Sequence, residues 1–226
     1  MIPPRNVLIT GGTGYIGRRL IPTLDERGHI VRVLVRRESL ERVPEEADPV
    51  IGNALDASTF VDALGARDTL VHLVGTPHPN PTKAAEFERV DLGSIRASVQ
   101  AAREAGIAHL IYISVAQPAP VMGAYVAARA AGELAIREAG LTATILRPWY
   151  VLGPGHRWPM VLEPFYAVAR LLPPTRDGAH RLAMVSIRQM VAALVTAVEH
   201  PPAAGTVAVV DAPGIRAAHL DAPTMV

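Results

Sequence analysis

Two groups of residues in this chain have the types and spacing for chemistry. The first is Thr10-Gly11-Gly12-Thr13-Gly14-Tyr15-Ile16-Gly17, directly after the apolar run Val7-Leu8-Ile9. The second is Tyr125 with Arg129 four residues on, in an Ala-rich stretch. A strand that turns into a helix through spaced glycines is a dinucleotide cradle. Gly11 takes the φ that a tight turn needs. Gly14 lets backbone approach a pyrophosphate, and Gly17 lets the helix pack close on the strand. The helix N-terminus then offers free N–H groups and a partial positive charge to phosphate. Gly11, Thr13, Gly14, Tyr15, Ile16 and Gly17 are therefore candidate cofactor contacts. At the second group, residues four apart share a helix face. A tyrosine beside a fixed cation has its phenolate favoured and can exchange a proton with a carbonyl or alcohol. The alternative is a part-buried Tyr125 with Arg129 paired to Glu133 at the next turn.

The elements that must position these groups alternate along the chain. Strands are expected at 7–10, 30–35, 49–52, 69–74, 108–113 and 142–146. Helices are expected at 15–27, 58–64, 83–105 and 121–139, with Gly28, Gly106 and Gly140 closing three of them. This alternation predicts right-handed crossovers and an α/β fold with a doubly wound parallel sheet. Beyond it, a helix over 158–172, a strand over 181–185, a helix over 186–199 capped by Ser186 and a strand over 205–210 are expected. The chain reads as one domain, 1–226, with residues from about 154 onward as a small C-terminal lobe. The tail after Asp211, rich in Ala and Pro, is expected to order poorly.

In such a sheet, ligands bind at the carboxyl ends of the strands, so the residues just past each strand are the ones to weigh. Arg36 and Arg37 come after the second strand. An acidic residue there would bind the ribose 2′-hydroxyl of NAD; arginine suits the 2′-phosphate of NADP, with Arg18 in reach to assist. Solvated surface charge is the alternative for Arg36 and Arg37. NADP is thus the expected cofactor ahead of NAD. Asn53 and Ala54 come after the third strand. Asn53 can pair with an adenine edge or serve a turn, with Asp56 capping the next helix. Val74 and Gly75 come after the fourth and bring backbone toward the cofactor, or Gly75 simply makes the loop. Ser114 comes after the fifth.

Composition narrows the function classes. Half of the 226 residues are hydrophobic, enough for a sizeable core. The net charge of +1 gives no reason to expect nucleic acid or an anionic membrane. No cysteine is present, which excludes disulfides, thiolate metal sites and a cysteine nucleophile, and fits a cytoplasmic location. No secretory signal and no membrane span are read. The eight histidines show no metal-ligand spacing, and no nucleophile elbow is present.

Together these residues resemble a known superfamily. Thr10-Gly11-x-x-Gly14-x-x-Gly17 is similar to the glycine motif of extended and atypical short-chain dehydrogenase/reductases. Tyr125-x-x-x-Arg129 resembles their YxxxK, and Leu146-Arg147-Pro148 with Val151-Leu152-Gly153-Pro154-Gly155 resembles their LRPxxxxGPG. The resemblance runs from about residue 5 to 210, and is nearest to the NmrA-like and complex-I-subunit-like atypical members. It implies a Rossmann fold with NAD(P) across the strand ends, and places Pro148 and Val151 near the nicotinamide. It implies that Tyr125 and Arg129 are the catalytic pair, Arg129 standing where the family has the ribose-anchoring Lys. Arginine keeps the charge but cannot carry a proton. Ala116 stands where extended enzymes have the catalytic Ser or Thr, which leaves Ser114 as a cofactor contact. His156, Arg157, Trp158, His180 and Arg181 are candidate substrate contacts, and Trp149 and Tyr150 packing residues.

Two functions fit. One is an NADP(H)-dependent oxidoreductase, or an epimerase acting through transient oxidation, on an unidentified small carbonyl or alcohol. The other is a nucleotide-binding sensor, assembly factor or scaffold with little turnover. A monomer and a homodimer, through helices 83–105 and 121–139, are both consistent with the sequence.

Overall fold

Strand β1 (Asn6–Thr10) carries four fully buried residues, and they alternate between the two faces of a sheet. Val7 and Ile9 enter one core, and Leu8 enters the other. The same alternation recurs one strand over in β2 (Ile30–Val35), where Val31, Val33 and Val35 face the first core and Leu34 the second. Strands buried on both faces read as near-continuous apolar runs, which is why they were legible. A computed structural model describes residues 3–119, 121–155 and 182–220. Five further strands join these two: β3 (Asp48–Ile51), β4 (Thr69–His72), β5 (His109–Ile113), β6 (Ala143–Arg147) and β9 (Val207–Asp211). The seven form one parallel sheet in the order β3-β2-β1-β4-β5-β6-β9. The chain winds outward through β2 and β3, then returns to β4 on the other side of β1. The switch point therefore lies between β1 and β4.

Helices cover both faces. The first core is closed by α1 (Gly17–Glu26), with Leu20, Ile21 and Leu24, and by α5 (Ile187–Glu199), with Met190, Leu194 and Val198. The second is closed by α3 (Gly93–Ala105) and α4 (Gly123–Glu138). The stretch expected as one helix from 83 to 105 is composite. A short α2 (Ala84–Glu86) leads into a π-helical segment, Phe87–Leu92, and only then into α3. The helix expected at 58–64 is two 3-10 turns, Ala57–Thr59 and Val61–Ala63, the first capped by Asp56. Ser186 caps α5 in a reciprocal box with Gln189. A two-stranded parallel pair, β7 (Val151–Leu152) and β8 (Val185–Ser186), leads into that cap.

Within the described residues, the first part of the tail, 212–217, is ordered as a helix, against the expectation of poor order; residues 221–226 lie outside the described residues. Asp211 accepts a hydrogen bond from the Gly214 N–H and starts α6 (Ala212–Ala217), whose Ala212 and Ile215 are fully buried. A side-chain cap and two buried apolar residues outweigh the Ala/Pro composition there. The helix expected over 158–172 lies outside the described residues, as do His156, Arg157, Trp158, His180 and Arg181.

Candidate cofactor site

The Thr10–Gly17 turn sits at the switch point, against the loop that leaves β4. Leu73 donates its N–H to the Thr10 carbonyl at 2.9 Å. Gly11 has φ +77°, and a Cβ on it would lie 2.9 Å from the Leu73 carbonyl carbon. A side chain is thus excluded twice, by conformation and by space. A Cβ on Gly17 would collide with the Gly12 backbone, so the missing side chain lets α1 begin directly beneath the turn. Gly14 differs: it is exposed, and among the described residues its absent side chain would meet only the Gly11 carbonyl oxygen, at 3.1 Å. The three glycines make one wedge, one contact and one open approach. Helix α1 has no side-chain cap at its N-terminus and no acidic residue in its first turn. Its positive dipole end is left for an anion, while the Arg18 and Arg19 N–H groups already donate to the Gly14 and Ile16 carbonyls. Tyr15, Ile16 and Thr13 are half-buried around this turn, and the Arg19 guanidinium lies 4.3 Å over the Tyr15 ring.

Around that turn the remaining candidates take different states. Arg36, just past β2, is 68% exposed, with its Nε 3.4 Å from Glu38. Its side chain is free to reorient toward a phosphate at almost no structural cost. Asn53 is engaged as a turn residue: its Oδ1 accepts from the Leu55 N–H at 3.0 Å, and its own N–H donates to Thr59. Ala54 is half-buried beside it. The Ser114 N–H donates to the Leu146 carbonyl at 2.8 Å, and Ala116 donates to the Pro148 carbonyl at 2.9 Å. These bonds carry the β5–β6 pairing past the ends of the strands and hold the Pro148 loop beside Ser114. Val151 is half-buried at the start of β7. The Ser114 hydroxyl is buried and finds no hydrogen-bond partner. A buried orphan hydroxyl is costly unless a ligand completes it. With the open approach at Gly14 and the uncapped helix, it is what a site built for a dinucleotide presents.

Tyr125 and Arg129 do share one face of α4, and that face meets the π-helical segment. The Phe87 ring lies 5.1 Å from the Tyr125 ring, edge to face. The Arg129 guanidinium carbon lies 5.3 Å from the Tyr125 ring centre and 5.7 Å from that of Tyr112. Arg129 does not pair with Glu133. It turns inward and donates to Asp91 Oδ1 at 2.6 Å and to the Ile113 carbonyl at 2.9 Å. Asp91 is fully buried, and its other oxygen accepts from the Thr76 N–H at 3.0 Å and hydroxyl at 2.6 Å. Gly75 is glycine because a side chain there would strike the Arg129 guanidinium. Burial alone would lower the Arg129 pKa; Tyr125, Tyr112 and Asp91 outweigh it and hold the group above its ordinary value. Arg129 is thus a permanent cation, compensated at once by Asp91.

Glu133 is taken instead by Arg147, which donates from Nε at 2.8 Å, and by the Gln117 amide at 2.7 Å. The Glu133 bond, opposed by partial burial, raises the Arg147 pKa. Beneath the site, His72 is fully buried among the hydroxyls of Thr10, Ser94 and Ser98. Burial, reinforced by Arg129, pushes its imidazole down to about 3, so it is neutral.

Asp91, which anchors Arg129 and Thr76, is not among the residues the sequence singled out. A signal was there: Phe87, Asp91, Ser94, Ile95 and Ser98 fall at helical spacing on one face, and a lone acid on a buried face demands a cation. A separate cleft of about 510 Å³, bordered by Arg19, Thr23, Arg188 and Val191, lies between α1 and α5 and contains none of these groups. No described helix is long and apolar enough to cross a membrane, and no described group of His, Asp or Glu could hold a metal ion.

The family model described as NAD(P)H-binding matches residues 11–157. The chain is 32% identical over 191 residues to the ceramide reductase of Caulobacter vibrioides (strain NA1000 / CB15N), covering 84% of this chain and 59% of the relative. It is 30% identical over 220 residues to a 3-diazoavenalumate denitrifying reductase of a Streptomyces species, covering 85% and 72%. Among solved structures, it shares its fold with MoeE5 in complex with UDP-glucuronic acid and NAD, with TM-score 0.68 and 22% identity over 91% of this chain and 75% of that one. The chain spans about three-fifths of the ceramide reductase's length.

Proposed function

The chain belongs to the NAD(P)H-binding family, within the short-chain dehydrogenase/reductase superfamily, and on that premise we propose that it is an NADP(H)-dependent oxidoreductase acting on a small carbonyl or alcohol. The observation that carries this reading is Tyr125 and Arg129 on one face of α4, at the same end of the sheet as the Gly11–Gly17 turn. The bound nicotinamide supplies the hydride. Tyr125 supplies the proton at the substrate oxygen. Ser114, orphaned and buried, donates to the cofactor, and Pro148 and Val151 line the nicotinamide side. Gly11, Thr13, Gly14, Tyr15, Ile16 and Gly17 hold the pyrophosphate by backbone, Asn53 and Ala54 border the adenine, and Val74 and Gly75 carry backbone past the cofactor. Arg36 selects the 2′-phosphate by a charge-assisted bond. Nothing in the reading calls for nucleic acid or a membrane as partner.

Comparative calorimetry tests the cofactor half. Wild type is expected to bind NADP(H) more tightly than NAD(H), and Arg36→Ala to lose that preference. Equal binding of both by wild type would refute it. The chemical half is tested by turnover against a carbonyl panel: Tyr125→Phe should lose it, and full turnover in that variant would end the assignment. Two observations favour a second reading, a nucleotide-binding sensor without turnover. Ala116 offers no hydroxyl to a substrate, and Arg129 is already committed to Asp91. Wild-type oxidation of NADPH above about 1 s⁻¹ with any panel member, an ordinary enzyme rate, rules that reading out.

A further inference from the structure

Phe87 and Asp91 stand four apart in the π-helical segment Phe87–Leu92, and each holds one member of the candidate pair on α4. Phe87 packs edge to face on Tyr125 at 5.1 Å, and Asp91 binds Arg129 at 2.6 Å. The same Asp91 carboxylate takes both the N–H and the hydroxyl of Thr76, in the loop after β4. Three pieces of chain therefore meet at one buried carboxylate: the loop after β4, the π-helical segment and α4. A π segment is an uncommon departure from the α-helix and recurs at functional sites. Here the π segment carries both contacts to α4, and α3 continues from it into the core. Gly75 completes the arrangement, since only a residue without a side chain leaves room for the guanidinium.

We propose that Asp91 and Phe87 are positioning residues, which set Arg129, Tyr125 and the Val74–Thr76 loop for the nicotinamide half of the cofactor. Asp91 acts through Arg129 and Thr76, and Phe87 through the Tyr125 ring. The proposal rests on the cofactor reading above, and it assigns the π segment to one half of the ligand. A residue that merely stabilises the fold would affect both halves alike.

The test compares two compounds by calorimetry: NADPH, and adenosine 2′,5′-bisphosphate, which lacks the nicotinamide half. Asp91→Asn is expected to weaken NADPH about tenfold or more, the scale of a hydrogen bond to a charged group, and to leave the bisphosphate within about twofold. Asp91→Glu, which keeps the charge, should restore part of the loss. Glu199→Gln serves as the structural control and should move neither compound. Equal weakening of both compounds by Asp91→Asn, or no weakening, overturns the proposal. If Asp91→Asn does not fold, Phe87→Leu is read in the same way, with the same two outcomes. A wild type that binds neither compound overturns the cofactor reading instead. The positioning claim is then decided by hydrogen exchange at the Thr76 amide without nucleotide. Asp91→Asn should speed it about tenfold, the scale of one lost bond to a charged acceptor, and unchanged exchange overturns the claim.

Discussion

At the carboxyl ends of the strands Arg129 donates to Asp91 at 2.6 Å; at the amino ends Arg27 donates to Glu199 at the same distance. Both carboxylates are buried, and both pairs join elements far apart in sequence. Their surroundings differ. Glu199 takes both its Arg27 bonds and a third from His29, tying the end of α1 to the end of α5. Burial would raise the Glu199 pKa, but Arg27 and His29 outweigh it and hold the carboxyl below its ordinary value. Burial also lowers the His29 pKa, against the pull of Glu199. The His29 ring is held from both nitrogens. Its Nδ1 accepts from the Arg5 N–H, which leaves Nε2 as the donor to Glu199. The Asp91 pair instead borders the loop after β4 and Gly75, where an added side chain would strike the Arg129 guanidinium. Buried orphans occur at both ends, since Arg5 Nε and His109 Nδ1 also find no hydrogen-bond partner. An orphan alone does not mark a site. Ser114 is informative because it stands at the switch end, where ligands bind in such sheets.

The largest expected effects come from breaking each pair. Arg129→Ala and Arg27→Ala each strand a buried carboxylate and should cost about 3–5 kcal/mol of unfolding free energy, with Arg27, the more exposed, at the lower end. Chemical denaturation measures this. Only Arg129→Ala should also weaken NADPH; equal weakening by both would erase the distinction. Next comes Gly17→Val, whose side chain meets the Gly12 backbone. Dinucleotide binding should fall by about a hundredfold or more, the scale of an overpacked contact, and unaltered titration heats would mean that the turn is not the cradle.

A pH series probes the buried histidines of both ends and the Glu199 carboxylate. Burial holds His72 at about 3 and His109 at about 4 in the folded state, against 6.5 when unfolded. Below 6.5 the unfolded chain binds the protons that the fold refuses, so stability is full above that pH and falls with acidification. His72 alone should remove about 2 kcal/mol by pH 5, and a urea midpoint unchanged between pH 7.5 and 5 would contradict its neutral burial. The Glu199 contribution has the same sign but a lower window: its folded pKa is depressed, so its stabilisation is present above 4.5 and lost only below. The smallest effect is Arg36→Ala. A solvated side chain should move stability by less than about 0.5 kcal/mol while removing the preference for NADP; a large stability loss would make Arg36 structural.

The sheet was legible because its strands are buried on both faces and read as apolar runs between helical stretches. The cradle was legible because three glycines with fixed spacing come directly after the first of them. Arg129 was legible as a cation beside Tyr125, but its direction was not. Spacing along α4 offered Glu133; the structure gives Glu133 to Arg147 and Gln117, and Arg129 to Asp91, 38 residues away. Long-range pairing across layers leaves no local periodicity to read. The π segment was hidden for a related reason, since its extra residue differs from an α-helix only in how the backbone bonds close.

The most direct measurement is hydrogen exchange by mass spectrometry with and without saturating NADPH. Protection is expected over residues 10–17, 36–37, 53–54, 74–76 and 114–129, at the carboxyl ends of the strands. Residues 27–29, 65–68 and 197–199, at the amino ends, should exchange as before. Protection centred on the amino ends, or none anywhere, would contradict the placement of a dinucleotide at the switch between β1 and β4.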